Sequence, residues 1–382
     1  MHMGMRPVMG RPLLHRHCIM RVSLITIGGG ELAVLDVEPS WSRIDILQAF
    51  GHASPKVVFR LLHGLAELLP GQTLGSAGIQ DGAKLTLVSE PAQFIVTASC
   101  DSTAKIWLQQ TGDCLRTLQG HQYMVNTAAF SPDGTLVVTA SADKTAKIWL
   151  AQTGDCMRTL QGHGDMVNTA TFSPDGTFVV TASDDETAKI WLAKTGDCMR
   201  TLRGHGDWVK AATFSPDGTF VVTASIDYTA KIWQAETGVC VQWLRGHVFG
   251  VRAAAFSPDG ACVVTASIDG TAKIWQAGTG DCMRTLQGHT YIVHAAAFSP
   301  DGIFVVTASI DRTARIWQAE TGHCVRTLPC HGNAVPAFSP DGTFVVTSSS
   351  DRTASIWQAQ TGDCVRTLQG HGASVTAVAF SP

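Results

Sequence analysis

From residue 92 onward the chain alternates short runs of β-branched and aromatic residues with clusters of Ser, Pro, Asp, Thr and Gly. Residues 219–233, TFVVTASIDYTAKIW, show the unit: one apolar run ends in Thr-Ala-Ser, an Asp follows, and a second run ends in Ile-Trp. Two such runs around a short polar turn predict an antiparallel hairpin. The Trp recurs at Trp107, Trp149, Trp191, Trp233, Trp275, Trp317 and Trp357, spaced by 42 residues five times and by 40 once. Self-similarity at that period predicts supersecondary units that stack or close into a ring.

A full copy, residues 205–246, reads as a His, a loop, a strand over 209–214, the turn Ser-Pro-Asp-Gly, a strand over 220–225, the Asp227 turn, a strand over 229–233, a Thr-Gly turn and a strand over 240–244. Pro at the second position and Gly at the fourth suit a type I turn. Seven copies of four strands predict four-stranded blades that bury both faces against their neighbours. The first copy lacks an inner strand, and the chain ends in one, ASVTAVAFSP, so one blade is expected to be built from both ends. The shorter interval falls between His331 and Phe338. Two missing residues keep every side chain on its own face, and Pro336 then belongs in an innermost strand, where Pro is tolerated.

Residues 21–89 carry a different pattern. Two strand-like runs flank Gly28, Gly29 and Gly30, which suit a hairpin turn. Ser42 with Asp45 marks the start of a short helix bearing Ile44, Leu47 and Phe50, and strands follow at 57–62 and 84–88. This order predicts a small α+β domain. Residues 1–20 hold three Arg, three His and no acid, and are expected to form a disordered tail. Within them His15, His17 and Cys18 have no fourth ligand, so no metal site and no cofactor is expected.

Two resemblances attach to these residues. DVEPS at 36–40, FRLLHG at 59–64, Thr73-Leu74 and IQDGAKLTLV at 79–88 resemble ubiquitin. Val88 is followed by Ser89, Glu90 and Pro91 rather than a tail ending in Gly-Gly, so the resemblance implies a docking module and not a conjugated tag, with Leu62 and Val88 at two positions of ubiquitin's apolar receptor patch. The Gly-His pairs at 120/121, 162/163, 204/205, 246/247, 288/289 and 370/371, varied once as Cys330-His331, and the Ile-Trp strand ends resemble WD40 repeats. The Asp that often follows the Trp is Leu108 or Gln234 here. The resemblance implies a mostly β fold: a seven-bladed WD40 propeller over 92–382, preceded by a ubiquitin-like β-grasp domain over 21–89. It also implies a buried structural tetrad in each blade, here His205, Ser225, Asp227 and Trp233.

Composition narrows the function. With 382 residues, 45% of them hydrophobic, the chain can bury a large core; a net charge of -3 argues against phosphate neutralisation as a binding mode. The repeated basic position (Lys105, Lys147, Lys189, Lys231, Lys273, Arg315) is accompanied by several Asp in each copy, so an RNA-associated propeller is the lesser reading. No apolar run is long enough to span a membrane. Seven of the eleven Cys share one slot per repeat, too far apart to bridge; they read as reduced, half-buried strand residues of an intracellular protein, in the cytoplasm or the nucleus. Ser, His and Asp recurring at fixed offsets in copy after copy are structural, since an active site needs one constellation in one cleft.

Near-identical copies differ at two places, the two or three residues after each Gly-His and those flanking the turn Asp. Tyr123, Met124, Met166, Trp208, Phe249 and Tyr291 fill the first, and Ile226, Ile268 and Ile310 the second. Exposed aromatic and Met side chains are enriched at protein interfaces. The expected function is a non-catalytic scaffold in a multi-protein complex, whose rim binds a peptide or protein segment while the ubiquitin-like module docks a second partner. A ubiquitin-pathway substrate receptor or regulator, and an enzyme using the propeller channel, are the alternatives.

Overall fold

The computed structural model describes residues 20–25, 31–42, 45–46, 57–63, 66–68, 72–330 and 334–382. The chain divides into two compact units, Met1–Ala92 and Gln93–Pro382.

The first unit is a five-stranded mixed sheet. β1 (Met20–Ile25), β2 (Glu31–Val37), β3 (Val57–His63), β4 (Ala66–Glu67) and β5 (Lys84–Pro91) lie in the order β2-β1-β5-β3-β4. β1 and β5 run parallel at its centre, and every other pairing is antiparallel. Alternation in β1 sends Val22 and Leu24 inward to meet Leu61, Leu74, Leu85 and Ile46. Both the backbone N–H and the hydroxyl of Ser42 donate to the Asp45 carboxylate at 2.7 Å, and the backbone is helical at Asp45 and Ile46. Ile44, Leu47, Phe50, the Gly28 to Gly30 turn and residues 1–19 lie outside the described residues. Met20 opens β1.

The second unit is seven four-stranded antiparallel sheets. Their strands, β6 to β33 in chain order, repeat one arrangement, seen in β17 (Val209–Phe214), β18 (Phe220–Ser225), β19 (Thr229–Gln234) and β20 (Cys240–Arg245). Every residue of 221–225 is buried, because neighbouring blades cover both faces of a central strand. The innermost strands β9 (Val125–Phe130), β13 (Val167–Phe172), β17, β21 (Val251–Phe256), β25 (Val293–Phe298), β29 (Pro336–Phe338) and β33 (Val375–Phe380) pack in cyclic succession, β33 returning to β9. β33 completes the blade begun by β6 (Phe94–Ser99), with Val375 opposite Ser99 and Phe380 opposite Ile95. The ring is thus a propeller closed by both ends of the repeat array.

One blade, β29 to β32, departs from the pattern in two ways. β29 has three residues where the other innermost strands have six, and Pro336, which lacks an N–H, sits at its start opposite Thr347. Next to it Cys330 replaces the usual Gly. That Gly has a positive φ and lies against the next Trp in other blades; a Cβ on Gly120 would stand 3.2 Å from the Trp149 ring. Trp357, which faces Cys330's blade position, is correspondingly more exposed than the other six repeat Trp residues.

The repeated cysteines are free, as their spacing requires, but Cys114, Cys156, Cys198, Cys282, Cys324 and Cys364 are exposed rather than half-buried; only Cys240 is intermediate. They sit on the outermost strand of each blade, where the blades fan apart and no neighbour covers them.

Candidate partner-binding rim

Strand direction sets up the two ends of the ring. Each innermost strand starts at the loop after a His and ends at Phe-Ser-Pro, so the His loops and the Asp turns share one rim and the Ser-Pro-Asp-Gly turns the other. At the second rim a cavity of about 540 Å³ is ringed by repeated Phe, Ser and Pro residues such as Phe130, Phe214 and Pro300. It presents the same chemistry from every blade.

At the first rim a polar chain anchors six of the blades among the described residues. Trp233 Nε1 donates to Thr223 Oγ1 at 2.8 Å, Thr223 Oγ1 lies 2.7 Å from His205 Nε2, and His205 Nδ1 lies 2.7 Å from Asp227 Oδ2. An indole N–H can only donate, so the Thr hydroxyl accepts it and gives its own proton to Nε2. The His is then neutral and donates from Nδ1 to the carboxylate. Five further copies have the same geometry, including His371 with Thr97, Asp101 and Trp107, which spans the closure. In the blade of Trp357 the indole meets Thr347 at 2.9 Å, and His331 lies outside the described residues.

Burial drives His121, His163, His205, His289 and His371 below the ordinary imidazole value, outweighing the lift from the facing carboxylates. Burial pushes the partner carboxylates up, yet hydrogen bonds from Thr, His and backbone N–H groups prevail: Asp101 falls to about 2, and Asp227 and Asp269 lie well below the carboxylate range. Asp227 takes four donors: His205, Gly206 N–H, and the N–H and hydroxyl of Thr229. Those bonds also hold the turn, whose next residue, Tyr228, has φ 71°. Thr223 is fully buried, so its hydroxyl has neither a free donor nor a path to substrate.

The expected hydroxyl was Ser225, and the structure places it elsewhere. Ser225 Oγ donates to the Asp207 carbonyl at 2.9 Å and accepts the Asp227 N–H at 3.1 Å. Thr223 and Ser225 share one face of β18, and Thr223 is the one level with the ring of His205. Ser225 instead ties the His loop to the Asp turn.

The repeated Lys side chains are occupied within their blades. Lys147 Nζ donates to Thr159 at 2.9 Å. Lys231 bonds the Gly204 carbonyl and lies 3.7 Å from the centre of the Trp243 ring.

The variable loop residues stand in solvent. Trp208, Phe249 and Tyr291, on three successive blades, are 49%, 53% and 64% exposed, and Tyr123, Met124 and Met166 are exposed as well. Ile310 is exposed, whereas Ile226 and Ile268 are half-buried against Gly250, where a Cβ would stand 3.0 Å from Ile226 Cδ1 and 3.2 Å from Ile268 Cδ1. Tyr228 packs edge-on to Phe249 with ring centres 6.4 Å apart. In the first unit Leu62 is half-buried and pairs through its backbone with Thr86; Val88 pairs through its backbone with Arg60, and its side chain lies outside the described residues.

Sequence reading missed the second residue of each innermost strand. Asn126, Asn168 and Thr376 donate to the carbonyls of Val167, Val209 and Val125 on the next blade at 2.8, 2.9 and 2.6 Å. The same position holds Lys210, which meets Asp184 at 2.6 Å, and Arg252. Asp184 also accepts from Asn168 at 2.7 Å. Variation at this position was visible in the repeats; its meaning depends on the ring, which brings these residues to one channel mouth.

The chain matches the family described as WD domain, G-beta repeat over residues 112–149, 154–191, 196–234, 238–276, 280–318, 322–358 and 362–382, and it belongs to that family. It is 43% identical over 54 residues to nuclear distribution protein PAC1 of Mycosarcoma maydis, a match covering 14% of this chain and 12% of that protein. It is 33% identical over 79 residues to guanine nucleotide-binding protein subunit beta-2 of Nicotiana tabacum, covering 20% and 21%. To coatomer subunit beta'-1 of Arabidopsis thaliana it is 42% identical over 40 residues, covering 10% and 4%. The matched stretches thus span about a fifth or less of these relatives. Among the described residues no helix is long and apolar enough to cross a membrane, and no cluster of His, Cys, Asp or Glu could hold a metal ion.

Proposed function

We propose that this protein is a non-catalytic interaction scaffold whose propeller captures a peptide or protein segment on the rim bearing the His loops. The observation that carries the reading is the run of exposed Trp208, Phe249 and Tyr291 on consecutive blades. Large aromatic side chains held in solvent by a rigid ring lose little entropy on docking and are favoured as interface anchors. Two of the relatives are named as subunits, and by that likeness this chain is a component of a multi-protein complex. The first unit serves as a second docking module. Its strand order β2-β1-β5-β3-β4 with a parallel central pair supports the ubiquitin-like reading.

The test is selection of a random dodecapeptide phage library on the full chain and on the double variant W208E/F249E. Peptides enriched by the parent and lost by a variant of equal melting temperature are expected. Enrichment indifferent to these two substitutions would overturn the rim assignment.

A further inference from the structure

We infer that the channel mouth at this rim receives the carboxylate of an Asp or Glu side chain on Arg252, with the apolar neighbours of that residue on Ile226, Ile268 and Phe249. The inference rests on the proposed rim function and names the chemistry of the captured segment.

At the second position of the innermost strands, Asn126, Asn168 and Thr376 use their donors on the next blade's Val carbonyl. Lys210 is turned to Asp184. Arg252 differs from these four. Among the described residues nothing hydrogen-bonds its guanidinium, although burial lowers its pKa and the charge of Asp184 acts on it. A desolvated cation without a paired anion is costly, and the planar fork of an Arg matches a carboxylate with two parallel bonds.

Asp184 does not supply that anion. Its Oδ1 is taken by Asn168 at 2.7 Å and by Lys210 at 2.6 Å, while its buried Oδ2 has no partner among the described residues. Lys210 and Asp184 cancel, which leaves one positive charge at the mouth and favours a single carboxylate over a phosphate carrying nearly two charges. The carboxylates of Asp101, Asp143, Asp185, Asp269 and Asp311 do not compete, since each, like Asp227, takes four donors from its own blade. The approach is apolar: Gly250, two residues before Arg252, lies between Ile226 and Ile268, and the Lys210 ammonium stands 4.5 Å from the Trp208 ring centre. A segment with one acid flanked by apolar residues fits this surface.

The library selection is extended to R252Q. Parent-selected peptides are expected to share an Asp or Glu between apolar residues, and R252Q to lose that consensus. Replacing the acid by its amide in the best synthetic peptide, measured by fluorescence polarisation on the unaltered protein, is expected to weaken binding by about tenfold or more. This arm needs no protein variant, so misfolding of R252Q leaves the inference testable. Peptides that depend on Trp208 and Phe249 but carry no acid, or bind equally as amides, would overturn the carboxylate assignment and leave the rim function standing. A phosphoserine analogue that binds more tightly than the Glu peptide would also overturn it. Failure to enrich any rim-dependent peptide would overturn both.

Discussion

The indole nitrogen of Trp233 stands 2.8 Å from the hydroxyl of Thr223, ten residues earlier in the chain. That contact makes Thr223 the hinge of the polar chain, since it serves the Trp and the His at once. Thr223→Val should strand the Trp233 N–H and weaken the hold on His205, at about 1 to 3 kcal/mol. His205→Ala should cost a similar amount, and Trp233→Ala about 3 to 5 kcal/mol as a core truncation. Urea denaturation of each variant measures these losses. Thr223→Val with parental stability would show that the hydroxyl chain contributes nothing to the blade.

Stability should fall on acidification in two stages. His121, His163, His205, His289 and His371 have folded values below the unfolded value of about 6.5, so the unfolded chain binds more protons and stability rises with pH. It is therefore lost as pH drops below about 6.5. The partner carboxylates, also depressed, contribute stability above about pH 4 that disappears as pH falls toward the value of about 2 held by Asp101. Urea midpoints across this range should decline below pH 6.5 and again below pH 4. A flat profile between pH 7 and 5 would contradict buried neutral His.

Closure predicts the effect of a short deletion. Removing residues 372–382 takes away β33 and leaves β6 with an unpaired edge, open to another chain. Oligomers or insoluble protein are expected by analytical ultracentrifugation. A stable monomer would mean that the ring does not depend on its last strand.

The Asp turns hold backbone strain. Ser102, Lys144, Glu186, Tyr228, Arg312 and Arg352 all have φ between 66° and 77°, and the equivalent residue of one blade is Gly270. Non-Gly residues are disfavoured in that region. Glu186→Gly should therefore raise stability by about 0.5 to 1 kcal/mol, read as a higher thermal midpoint. A lower midpoint would show that the bonds to Asp185 already compensate the strain.

The sequence by itself determined the repeat, the strands and the closure of the ring. A 42-residue period with alternating runs admits one kind of blade, and an orphan strand at one end matches a missing strand at the other. The same period marked the Gly-His, Asp and Trp of the tetrad. It could not choose between Thr223 and Ser225, because residues two apart share a strand face; only the height of the His205 ring above β18 decides. Nor could it tell that six of the repeated cysteines face solvent, since exposure of an outermost strand follows from how far neighbouring blades diverge. The channel mouth lay furthest from view. Asp184, Lys210 and Arg252 are separated by 26 and 42 residues in a chain that contains many similar charges. They come together because the ring sets the second residue of successive innermost strands, Lys210 and Arg252, around the same axis as Asp184, the residue before the turn Asp of the preceding blade, a relation that no local pattern encodes.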